Sequence, residues 1–183
     1  VQIRERGVDD RVLQALVRDA LALARGTTTR VVVYDRLDVA LSVAADGVHL
    51  PEAGLPIAAV RRLAGERLLV GRSVHDAASA AASRSADYLI AGSVFATASK
   101  PGRVEALGLS GLREIVSAAG ECPVWAVGGI TAETVGVIAE CGARGVAAIG
   151  AFIPAVPIEK LARVVRAEVE RMRFSFDTPA GLS

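Results

Sequence analysis

At 183 residues the chain fits one domain better than two and is long enough to bury a sizeable core. Apolar residues make up 52% and aromatics only 4%, so the interior must be built from Ala, Val, Leu and Ile, as in buried parallel strands flanked by Ala-rich helices. A formal charge of +1 with no basic stripe argues against a nucleic-acid partner. Two cysteines and two histidines argue against a disulfide framework and a His-rich metal centre, and no signal peptide or membrane-spanning run is evident. A soluble cytoplasmic domain with no membrane association is expected.

In chain order, short apolar runs alternate with longer amphipathic stretches. Strands are expected at Val1–Glu5, Arg30–Tyr34, Gly47–Leu50, Leu68–Ser73, Tyr88–Val94, Val124–Val127 and Gly145–Ile149. Helices are expected at Asp10–Arg25, Leu37–Ala44, Ile57–Ala64, Asp76–Ser85, Ser110–Ala119, Thr131–Cys141 and Ile158–Arg171, with Thr131 as an N-cap. Repeated βα units mean a parallel sheet with right-handed crossovers. The units are short and uniform and no GxGxxG turn follows the first strand, which favours a (β/α)8 TIM barrel over an open sheet. Seven strands are one short of that barrel. Either an earlier βα unit precedes Val1 or the tail supplies a substitute strand at Arg173–Phe176; the abrupt start inside an apolar strand favours a missing first unit. The barrel domain is assigned to residues 1–172, and 173–183 to a tail that is loose or adds a strand. An exposed strand edge would favour a homo-oligomer.

Ligands of such barrels bind at the C-terminal strand ends, so the residues just past each strand are the candidates. Gly128–Gly129 follow VWAV and Gly150 follows AAI; glycines there let an anion approach backbone N–H groups, although each also suits a tight turn. In the loop SVFATASK, Thr97 and Ser99 offer hydroxyls and Lys100 a point charge for a carboxylate or phosphate. Gln2, Arg4 and Arg6 alternate onto one face, and an inward Arg4 needs an anion, either ligand or a carboxylate such as Asp35 or Glu52. Asp35, beside Tyr34 at a strand end, is also a candidate to orient Arg36 or Arg4. His49 reads as a structural hydrogen-bonder. His75, sharing a strand face with Ser73, is the better-placed imidazole for proton transfer.

Taken together, VQIRER, DRLDVAL–AADGVHL, VGRSVH, ADYLIAGSVFATASKPG, VWAVGGIT and CGARGVAAIGAF resemble, in order and without large insertions, the thiamine-phosphate synthase superfamily from Val1 to about Ala167. The resemblance implies a (β/α)8 barrel with a strand and helix before VQIRER. It also implies that the small phosphorylated thiazole ligand sits on the amides of Gly128, Gly129, Ile149 and Gly150. Two enzymatic branches exist. The synthase joins a pyrimidine diphosphate to thiazole phosphate with Mg²⁺. Its pattern has Asn-Asp where this chain has Tyr34–Asp35, an Asp where this chain has Gly54, and Lys where this chain has Arg6. The thiazole tautomerase moves a proton within carboxythiazole phosphate without metal, and VGRSVH looks more like that branch. The catalytic His of that branch is replaced here by Ser93.

The expectation is therefore a cofactor-free thiazole tautomerase. His75, or Ser93 through a water, would relay the proton, with Lys100, Thr97 and Arg4 around the ring or carboxylate. The alternatives are a synthase with a modified Mg²⁺ site at Asp35 and Glu52, and a non-catalytic thiazole-phosphate-binding regulatory barrel.

Overall fold

Among the described residues, the alternation of apolar runs and amphipathic stretches folds, in a computed structural model, into seven short strands and seven α-helices. The structure describes residues 1–5, 7–96, 106–152 and 158–177. They fall into two units, Val1–Ser73 with Ser85–Tyr88, and Val74–Arg84 with Leu89 onward.

The first unit carries β1 (Gln2–Ile3), α1 (Asp10–Ala24), β2 (Val32–Tyr34), α2 (Leu37–Ser42), β3 (Gly47–Leu50), α3 (Ile57–Ala64) and nearly all of β4 (Leu69–Val74). Its strands pair in parallel and in chain order, with Ile3 opposite Val33, Val33 opposite Val48, and Val48 opposite Val70. Val33, Val48 and Val70 are wholly buried, as are Val17 of α1 and Val60 of α3 on the covering helices. Every residue of β3 is buried, as a parallel strand covered on both faces should be. The helices start and stop on local signals. The Asp9 side chain accepts from the Arg11 N–H at 2.8 Å to cap α1, and α3 ends at Gly65, whose φ of 68° favours glycine. Asp87 anchors the 85–88 segment: one carboxylate oxygen accepts from the Val70 N–H at 2.6 Å and from Arg61 at 2.7 Å.

The second unit carries α4 (Ala77–Ala82), β5 (Tyr88–Gly92, all but its first residue), α5 (Gly108–Ala119), β6 (Val124–Val127), α6 (Val135–Glu140), β7 (Gly145–Ala147) and α7 (Ile158–Asp177). Leu89 pairs with Val124, Ala91 with Ala126, and Ala126 with Val146, all in parallel strands. Leu89, Ala91, Ala126, Leu112, Ile115 and Ile138 are wholly buried and form its core. Asp76 and Ser79 make a reciprocal capping box that opens α4.

Two sequence expectations are corrected here. Thr131 does not cap a helix. The Thr134 hydroxyl accepts from the Thr131 N–H and donates to the Thr131 carbonyl, both at 3.0 Å, closing a turn that delays α6 to Val135. Arg173–Phe176 is not a strand but the end of α7, whose inward positions Leu161, Val165, Glu168 and Met172 keep helical spacing through the expected domain boundary at 172.

Candidate active site

Strand parity builds a polar cluster in the first unit. Tyr34 stands opposite His49, and His49 opposite Gly71, with Ser73 two residues further along the same face of β4. The result is a row of rings. The Arg4 guanidinium carbon lies 4.4 Å from the Tyr34 ring centroid. Tyr34 stacks on His49 at 6.0 Å, and His49 lies 5.6 Å from the Tyr88 ring. His49 is 1% exposed, and both its nitrogens are bonded: Nδ1 to the Tyr88 hydroxyl at 3.2 Å and Nε2 to the Ser73 hydroxyl at 2.9 Å. Burial first, then the Arg4 and Arg72 charges, push the imidazole down to about 4, so it is neutral at pH 7. Burial, with the Asp87 charge adding to it, pushes the Tyr88 phenol well up.

A second element holds the loop after β3. Arg72 is 6% exposed and donates through Nη1 to the carbonyls of Pro51 (2.7 Å) and Glu52 (3.0 Å), and through Nη2 to that of Leu55 (2.5 Å). Its charge is satisfied by main-chain oxygens. Within the loop, the Gly54 N–H donates to the Pro51 carbonyl at 2.9 Å. A Cβ at Gly54 would lie 2.8 Å from the Pro51 ring.

The sequence-derived candidates now divide. Arg4, Tyr34 and Ser73 are brought together through His49. Gln2 is half-buried on β1, in register with Val32. Arg4 is exposed and its charge is solvated over Tyr34, so the inward arginine in need of a carboxylate is corrected. Asp35 is exposed at a left-handed φ of 57°, and its N–H donates to the His49 carbonyl at 2.8 Å. It does not orient Arg36, which is taken by Asp38 (2.6 Å) and Asp10 (2.7 Å).

In the second unit, His75 is half-buried and its N–H donates to the Ser79 hydroxyl at 3.2 Å. Ser93 lies against Gly128. A Cβ at Gly128 would fall 2.5 Å from that of Ser93, and one at Gly129 2.7 Å from the Ala96 carbonyl, with φ of 100° and 64° at the two glycines. Those glycines are required by the turn and the close approach. Gly150 differs: nothing lies within 4 Å of its would-be Cβ, and the neighbouring Ile149 is 65% exposed. Thr97, Ser99, Lys100 and Arg6 lie outside the described residues. Sequence reasoning left out Tyr88, Gly71 and Arg72; the signal for the first two was the shared strand face that also carries Tyr34 and Ser73.

The family model for thiamine monophosphate synthase matches residues 1–152. The chain belongs to the thiamine monophosphate synthase family. It is 40% identical over 171 residues to the thiamine-phosphate synthase of Methanoregula boonei, covering 92% of this chain and 79% of that protein. It is 39% identical over 175 residues to that of Moorella thermoacetica, covering 94% and 83%. Among solved structures it is similar to the thiamine phosphate pyrophosphorylase of Pyrococcus furiosus, with a TM-score of 0.80 at 32% identity over 96% of this chain and 81% of that one. A 3-hexulose-6-phosphate synthase shares the fold alone, with a TM-score of 0.62 at 18% identity.

The family places the chain among enzymes of thiamine biosynthesis. These relatives carry the synthase name, which favours the synthase alternative over the tautomerase expected from VGRSVH. Among the described residues no helix is long and apolar enough to cross a membrane, and no three His, Cys, Asp or Glu side chains gather as a metal centre. Magnesium needs no such centre: it is commonly held by one or two carboxylates, with water and substrate phosphates completing the shell. The exposed carboxylates of Asp35 and Glu52 fit that limited demand.

Proposed function

We propose that this chain joins a pyrimidine diphosphate to a thiazole phosphate, releasing pyrophosphate. The observation that carries this reading is about 40% identity, across more than nine-tenths of the chain, to proteins named thiamine-phosphate synthase. Ser93 supports it, because a serine wedged against Gly128 is a poor replacement for the general acid or base that a tautomerase needs.

Expelling pyrophosphate builds negative charge on the departing oxygen, so the protein must orient that group and offset its charge. On the first unit, Asp35, with Glu52 in the next loop, would hold Mg²⁺ by carboxylate; the ion would supply charge neutralisation on the diphosphate. Gln2 and Ser73 would bond the pyrimidine half, and the Arg4 guanidinium, kept in place by Tyr34, would add positive charge. On the second unit, the amides of Gly128, Gly129, Ile149 and Gly150 would hold the thiazole phosphate, with Thr97, Ser99 and Lys100 contributing polar and charged groups. His75 would not be needed as a base.

A coupling assay with both substrates and a Mg²⁺ titration tests this. Thiamine phosphate should form only when both substrates are present. Turnover of carboxythiazole phosphate without any coupling would reinstate the tautomerase, and tight binding of thiazole phosphate with neither reaction would mean a non-catalytic binder.

A further inference from the structure

The His49 contacts link Tyr88 to Ser73 in a chain whose direction is set by the ring tautomer. A neutral imidazole has one donor and one acceptor nitrogen, and His49, buried between Tyr34 and Tyr88, is neutral. Two arrangements are open. Either the Tyr88 O–H donates to Nδ1 and Nε2–H donates to Ser73, or Ser73 donates to Nε2 and Nδ1–H donates to Tyr88. A phenol is the more acidic and stronger donor of the two hydroxyls. The second arrangement would also leave the proton of the half-buried Tyr88 hydroxyl unused, since among the described residues His49 is the one group bonded to it. The first arrangement strands only the proton of Ser73, which is half-buried at the C-terminal end of β4.

We propose that Tyr88, His49 and Ser73 form a directional hydrogen-bond chain that fixes Ser73 as a donor to a lone-pair atom of the substrate. Tyr88 and His49 are then positioning residues, and Ser73 discriminates for substrates that present an acceptor at that point. This rests on the synthase reading for the identity of the substrate, but the direction of the chain does not.

Nitrogen-15 NMR of the histidine rings in the full chain reads the direction without any assay of turnover, and with only two histidines assignment is direct. His49 should carry its proton on Nε2; a proton on Nδ1 overturns the proposal. In Tyr88→Phe, which keeps the ring, the Nδ1–H form should appear. KM for the pyrimidine diphosphate should rise about tenfold, the loss of one hydrogen bond, while kcat stays within about twofold. Ser73→Ala should match it, and Tyr88→Phe added to Ser73→Ala should cost nothing more, because both act through one proton. Additive losses overturn the chain. If no coupling activity exists, the ring-nitrogen signals still decide the direction, so this inference and the synthase reading fail separately.

Discussion

Nδ1 of His49 meets the Tyr88 hydroxyl because residue 71, directly across the strand, has no side chain. A Cβ there would lie 2.5 Å from the Tyr88 oxygen and 2.6 Å from Nδ1 itself. Gly71→Ala should therefore push the two rings apart and cost about 1–3 kcal/mol, as overpacking of a tight interior does. A urea midpoint unchanged from the parent would contradict this packing.

His49 also gives the fold an acid sensitivity. Its imidazole takes a proton near 6.5 when exposed, but only near 4 in the fold, because burial dominates and Arg4 and Arg72 add to it. Between those values the unfolded chain binds more protons than the folded one. Its contribution to stability is therefore whole above pH 6.5, declines as the pH falls towards 4, and is lost below that. The full effect is on the order of 3 kcal/mol. Unfolding free energy followed by urea titration across this range should fall less steeply with acid in His49→Gln than in the parent.

Gly128 and Gly150 should respond differently to the same substitution. Gly128→Ala places a Cβ at 2.5 Å from that of Ser93, on a backbone at φ 100°, and should lower the melting temperature markedly. Gly150→Ala meets nothing within 4 Å and should melt like the parent. If the Gly150 amide holds the thiazole phosphate, the added methyl should still weaken calorimetric binding of that ligand several-fold. Equal binding by parent and Gly150→Ala would remove Gly150 from the phosphate site.

The carboxylate that the synthase pattern places at position 54 cannot simply be put back. The turn closed by the Gly54 N–H on the Pro51 carbonyl brings the proline ring to 2.8 Å of the new Cβ. Gly54→Asp alone should lose stability and leave the Mg²⁺ concentration for half-maximal coupling unchanged. Pro51→Ala with Gly54→Asp, which removes the obstructing ring atoms, should lower that concentration. A single substitution that did so unaided would show that the turn yields more easily than its geometry suggests.

Much of this was legible beforehand because periodicity is a local signal. β3, α3 and β6 run over the expected residues, and α1 differs by one residue at its end. Errors fell where a distant or competing bond decides. The hydroxyl of Thr134, rather than that of Thr131, shapes the turn before α6, and α7, with Met172 buried, runs on through Arg173–Phe176 where a strand was an alternative. In the site, the residue types at strand ends were readable, but their partners were not. Arg4 was expected to face inward and instead lies exposed over Tyr34; His49 was expected to be a structural hydrogen-bonder, and its partners, Tyr88 and Ser73, were not foreseen. Those links depend on register between strands far apart in the chain, which a single sequence does not display.

The clamp made by Arg72 has a consequence for how the loop after β3 can change over time. Its three bonds all end on main-chain oxygens, at Pro51, Glu52 and Leu55. Side chains at positions 53 and 55 can be exchanged without touching any of them, so the loop can drift in sequence there while keeping its shape. A lineage can change what this loop displays one position at a time, on a frame that one buried guanidinium keeps constant.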